Sequence, residues 1–177
     1  MSDEDHSDPP YSLSMTRRDF LALGCTAAAG AAVSPWLPGT AVAAAPARGT
    51  AYPVVEVARL DALKDGEPVA FTYPDASSPA VLLRLPAPAQ GGVGPDARVV
   101  AFSTLCTHKG CPVAYRPERQ LMICPCHWSS FDPAKGGQMV IGQASQALPQ
   151  IELRVEGNAV KAVGIRGLVY GRHTNIL

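Results

Sequence analysis

Two short stretches, CTHKGC from Cys106 to Cys111 and CPCHWSSFD from Cys124 to Asp132, limit what this chain can fold into. The first supplies Cys106 and His108 as Cys-x-His, and the second Cys124 and His127 as Cys-x-x-His. Each holds one more cysteine, Cys111 in the first and Cys126 in the second. Thiolates and imidazoles at such spacing are metal ligands, so the fold must bring two loops face to face. Four such ligands suit a structural zinc site, and a zinc-stabilised binding module without redox activity is one reading. Zinc sites more often pair like with like within a loop, whereas here each loop offers one thiolate and one imidazole.

The rest of the chain says how the loops are carried. It has 177 residues, with 17 prolines and 16 glycines but only 6% aromatic residues. That balance suits short strands joined by turns. Strands are expected in PVVEVARL from Pro53, EPVAFTYP from Glu67 and PAVLLRL from Pro79. ARVVAFST leads into the first cysteine loop and QLMICP into the second. QIELRVEGNAVKAVGI reads as a hairpin turning at Gly157-Asn158, and Ala89 to Asp96 as a turn-rich loop. The expected class is all-β, a small antiparallel sandwich. Lys plus Arg number 15 and Asp plus Glu 15, so no basic excess points to nucleic acid.

Residues 1–45 read as a separate export signal ahead of a domain over 46–177. Arg17 and Arg18 precede an Ala-rich apolar run from Phe20 to Val33, and Ala41-Val42-Ala43 offers a small-residue cleavage site. This order is that of a twin-arginine signal. Proteins on that route cross already folded, which suits a cofactor inserted in the cytoplasm. The implied destination is the periplasm, where a disulfide persists. The apolar run is shorter than the roughly 20 residues that span a bilayer comfortably, leaving at most marginal membrane association. Cys25 falls inside this segment and is given no role.

Mixed Cys/His loops suit a two-iron, two-sulfide cluster, with Cys106 and Cys124 on one iron and His108 and His127 on the other. This is the Rieske ligand set. Neutral imidazoles in place of two thiolates make the cluster less negative and easier to reduce. Such centres span about −150 to +300 mV, against about −400 mV for plant-type ferredoxins. A disulfide between Cys111 and Cys126 would tie the two loops together; the other reading is two unpaired buried cysteines. In Rieske proteins of the quinol-oxidising complexes, a Ser two positions after the ligand His donates a hydrogen bond to a bridging sulfide. A Tyr four positions after it donates to a cysteine sulfur. Ser129 matches the first, while Phe131 stands at the second without a hydroxyl, which implies a lower potential.

Rieske oxygenases need a second, mononuclear-iron domain. This chain is too short for one, and only His6 and His173 lie outside the loops. From Phe71 onward the sequence resembles the small subunit of arsenite oxidase. The resemblance rests on FTYPDASSPAVLLRL, GGVGPDARVVAFSTLCTHKGCPVAY, CPCHWSSFDPAKGGQMVIGQASQALPQIEL and VGIRGLVYGR. It implies a Rieske β-sandwich with a small cluster-binding subdomain and one [2Fe-2S] cluster. The implied partners are a large molybdenum subunit and a c-type cytochrome or copper protein that receives the electrons. The related subunit of periplasmic iodate reductase is the alternative, with electrons running inward. Substrate chemistry lies on the other chain in both cases. Lys109, beside His108, is given no role.

Overall fold

The structure, a computed structural model, describes residues 52–176. The expectations for His6, Arg17, Arg18, Cys25 and Ala41–Ala43 lie outside the described residues. Ten strands follow: β1 (Val55–Arg59), β2 (Val69–Thr72), β3 (Pro79–Arg84), β4 (Val99–Ser103), β5 (Ala114–Arg116), β6 (Leu121–Ile123), β7 (Ser130–Asp132), β8 (Gln138–Ile141), β9 (Gln150–Glu156) and β10 (Ala159–Arg166). They form a six-stranded sheet in the order β1-β10-β9-β4-β3-β2 and a four-stranded sheet in the order β5-β6-β7-β8. Every named strand pairing is antiparallel.

Strands β3 and β4 make the centre because both of their faces are apolar. Successive side chains of a strand point to opposite faces. Val81 and Leu83 therefore share one face with their partners Phe102 and Val100. This face meets Tyr115, Met122 and Phe131 of the small sheet, and Cys106 and Cys124 lie in the same core. Ala80, Leu82, Val99 and Ala101 turn the other way, into a second core with Tyr73, Ile151, Leu153 and Val160. The larger sheet is barrel-like and curves around that second core. Leu82 and Leu83 are fully buried. Each such side chain contributes about 1.5–3 kcal/mol relative to an exposed one.

The expected hairpin is present. Glu156 pairs with Ala159, leaving Gly157-Asn158 as the turn, and Gly157 has φ 59°. The turn also fastens the far end of the sheet. The Asn158 carbonyl accepts Leu60 N–H at 2.8 Å, and its Oδ1 accepts Asp61 N–H at 3.1 Å. The strands expected at Pro53, Glu67, Pro79, before Cys106 and before Cys124 all appear. Strands β5, β7 and β8 are additional to that expectation. β5 and β7 are three residues long and flank or follow the cysteine loops. They are strands through pairing with β6, not through a pattern of their own.

Candidate metal centre

The two cysteine loops leave the core side by side. The first joins β4 to β5 and is closed by a Leu105–Pro112 bridge; the second joins β6 to β7. They share one backbone frame. Cys106 N–H donates to the Cys111 carbonyl and Cys124 N–H to the Ser129 carbonyl, both at 2.9 Å. Within each turn, Gly110 N–H donates to the Cys106 carbonyl at 2.8 Å and Trp128 N–H to the Cys124 carbonyl at 3.0 Å. The fifth residue of each turn takes a left-handed conformation, Gly110 at φ 72° and Trp128 at φ 61°. The histidine is third in the first loop and fourth in the second.

The frame sorts the four side chains by type. Cys106 and Cys124 are free thiols and buried. Both thiols lie in the same core. His108 is half-buried and His127 exposed; their rings stand edge to face with centroids 4.8 Å apart. Thiols thus meet on the core side and imidazoles on the solvent side. Burial pushes the Cys106 thiol above its ordinary pKa, while the N–H groups of His108 and Lys109 face its sulfur and favour the thiolate. A buried pair of thiols with converging N–H donors, beneath a pair of imidazoles, fits a [2Fe-2S] cluster with two Cys and two His ligands.

Cys111 and Cys126 form a disulfide, with Cα atoms 6.5 Å apart. The Cys111, Cys126 and Cys124 sulfurs lie within 4.8 Å of one another, so the bridge fastens the loops directly beside a candidate ligand. Ser129 is fully buried, and its Oγ accepts N–H from Gln143 at 3.0 Å and Ala144 at 3.1 Å. With both of those contacts accepting, its O–H proton has no acceptor among the described residues. Phe131 is fully buried in the core that also holds Cys106 and Cys124.

A third segment, beginning at Gly142, was not legible as part of the site. It supplies the two N–H groups on Ser129, and the Gln146 carbonyl accepts the Thr107 hydroxyl at 2.8 Å. It therefore binds one residue of each cysteine loop. Gly142, at φ 118°, passes so close that a Cβ would stand 2.3 Å from Ser129 Cα. The glycine after β8 was the one available signal, and it reads equally as an ordinary turn.

The Rieske [2Fe-2S] domain family matches residues 52–152. The iodate reductase subunit IdrB of Denitromonas iodatirespirans is 44% identical, over 96% of this chain and 93% of its own. The subunit of the same name from Pseudomonas sp. (strain SCT) is 38% identical, over 94% of this chain and 88% of its own. Among solved structures, the soluble domain of the Rieske protein II (soxF) from Sulfolobus acidocaldarius superposes with a TM-score of 0.60. That match is 22% identical and covers 69% of this chain and 82% of the other, a likeness of fold. Of the arsenite oxidase expectation the Rieske subunit stands, whereas these two relatives carry the name of the alternative, iodate reductase. Paired thiols below paired imidazoles, on a fold and a sequence of this kind, lead to one conclusion: the chain belongs to the Rieske [2Fe-2S] family and is an electron-transfer subunit carrying one [2Fe-2S] cluster.

Proposed function

We propose that Cys106 and Cys124 hold one iron and His108 and His127 the other, and that this subunit serves a periplasmic molybdenum oxidoreductase that reduces iodate. The observation that carries the ligand assignment is the segregation of two buried thiols from two outward imidazoles. The choice of iodate over arsenite is supported by the two relatives matched across nearly their whole lengths. When bound, the cluster accepts and releases one electron at a time. The protein's part is to hold it. Cys106 and Cys124 would anchor it to the core, exposed His127 would present its edge to a partner, and the Ser129 hydroxyl would donate a hydrogen bond to sulfur.

Electrons run inward in this account. A c-type cytochrome or copper protein reduces the subunit, and the large molybdenum subunit withdraws the electrons to reduce iodate. Arg17 and Arg18 direct the folded, loaded chain through the twin-arginine route to the periplasm. Among the described residues no helix is long and apolar enough to cross a membrane. The test is to purify the chain with its large partner, reduce it, and add oxidant. Iodate is expected to restore the oxidised visible spectrum within the turnover time, and arsenite to leave the oxidised complex unreduced. Reduction by arsenite with no response to iodate would reverse the assignment.

A further inference from the structure

Beyond β10 the chain turns back as a hook, pinned at two points. The Arg172 side chain is 11% exposed and donates to both Asp75 carboxylate oxygens, at 2.6 and 2.9 Å, and to Ser77 Oγ at 2.7 Å. Asn175 closes the hook on itself. Its Oδ1 accepts Val169 N–H at 2.9 Å, and its Nδ2 donates to the Gly167 carbonyl at 2.7 Å and to Tyr52 Oη at 3.1 Å. Val169 is anchored in the second core. Between these anchors stands Tyr170, whose ring lies on Gly110 of the first cysteine loop. A Cβ at Gly110 would stand 2.6 Å from two ring carbons, so the glycine permits the contact as well as the φ of 72°. Tyr170 is 39% exposed, and its hydroxyl has no hydrogen-bond partner among the described residues.

We propose that Tyr170 is a positioning residue for the His108 loop and one determinant of the reduction potential. The inference rests on the ligand assignment above. The ring braces the backbone two residues past His108 and keeps water from that side of the loop. The reduced cluster carries one more negative charge than the oxidised one, and water stabilises the more charged form. A hydrophobic cover over a metal site lowers solvent access and with it the potential. Arg172 and Asp75 contribute from a distance, by holding the hook that presents the ring.

The test uses the full, cluster-loaded chain with Tyr170→Phe, Tyr170→Ala and Arg172→Gln. Midpoint potential and amide hydrogen exchange at Gly110 and Cys111 are both read. Tyr170→Ala is expected to favour reduction about threefold, which is roughly 28 mV at 59 mV per factor of ten for one electron. Exchange at Gly110 should rise in parallel. Tyr170→Phe should match the wild type in both, since the ring and not the hydroxyl makes the contact. Arg172→Gln should shift both in the direction of the Ala variant, by less. Should Tyr170→Ala fail to fold, Tyr170→Leu gives the same comparison with more bulk retained. An unmoved potential and exchange in the Ala or Leu variant, with a normal Rieske signal, overturns this proposal alone. A Phe variant shifted as far as Ala does so too. Absence of a Rieske signal from the wild type overturns the ligand assignment and this proposal with it.

Discussion

Ser129 is the residue at which packing and the proposed redox tuning meet. Its oxygen accepts two buried N–H groups, so its proton would be available to a sulfur of the proposed cluster. Donors to sulfur favour the reduced form. Ser129→Ala should lower the midpoint by about 40 mV, from a differential of about 1 kcal/mol and 59 mV per tenfold change. It should also destabilise, because Gln143 and Ala144 lose their acceptor. Phe131→Tyr should do the reverse to the potential, raising it a few tens of millivolts in a redox titration. Phe131 is fully buried. A hydroxyl there that misses sulfur would cost about 1–3 kcal/mol and leave the midpoint unchanged. The pair of readouts, melting temperature and potential, separates the two outcomes. A second residue sets acid behaviour. Hydrogen bonds from Arg172 and then Ser77 hold the Asp75 carboxyl well below the usual carboxylate range. A depressed folded pKa gives stability that is present above the unfolded value, near about 3.9, and lost as pH falls toward the folded one. The stability gap between wild type and Asp75→Asn should therefore be constant from neutral pH to about 5 and narrow below about 4. Urea unfolding at a series of pH values measures it; a gap that narrows already between pH 7 and 6 would contradict the pairing.

At the scale of elements, the disulfide joins two loops that the chain reaches fifteen positions apart. Closing a loop of that length removes about 3 kcal/mol of unfolded-state freedom. Cys111→Ser with Cys126→Ser should lower stability by about that amount and speed cluster loss in mild guanidinium. Acid-labile sulfide, measured over time, checks the second effect. The same loops show what the sequence makes visible. The proposed ligand residues stand out because few chemistries need Cys and His in mixed pairs. β3 and β4 are legible because Val81, Leu83, Val100 and Phe102 are apolar on one face and Leu82, Val99 and Ala101 on the other. β7 is not, because Ser130, Phe131 and Asp132 carry no alternation long enough to see, and their pairing is imposed by β6 and β8. Thr107, Gly142 and Tyr170 were not legible as parts of the site either. Each acts through a partner distant in sequence, such as Thr107 on Gln146, and nothing local marks that contact.

For the whole molecule, the proposed export route and electron transfer are linked: on that route a cluster built in the cytoplasm would leave inside a folded chain. Arg17→Lys with Arg18→Lys should leave loaded protein in the cytoplasm and deplete the periplasm in a fractionation blot. Undiminished periplasmic protein would contradict the route. The claim on which all else depends is that Cys106, His108, Cys124 and His127 hold a [2Fe-2S] cluster. The most direct measurement is electron paramagnetic resonance of the dithionite-reduced full chain, with iron and acid-labile sulfide analysed in the same sample. The expected result is a Rieske-type signal with average g below the free-electron value and nitrogen couplings from two imidazoles. The signal should be lost in His108→Ala and in His127→Ala. One bound zinc, no labile sulfide and no signal would contradict it.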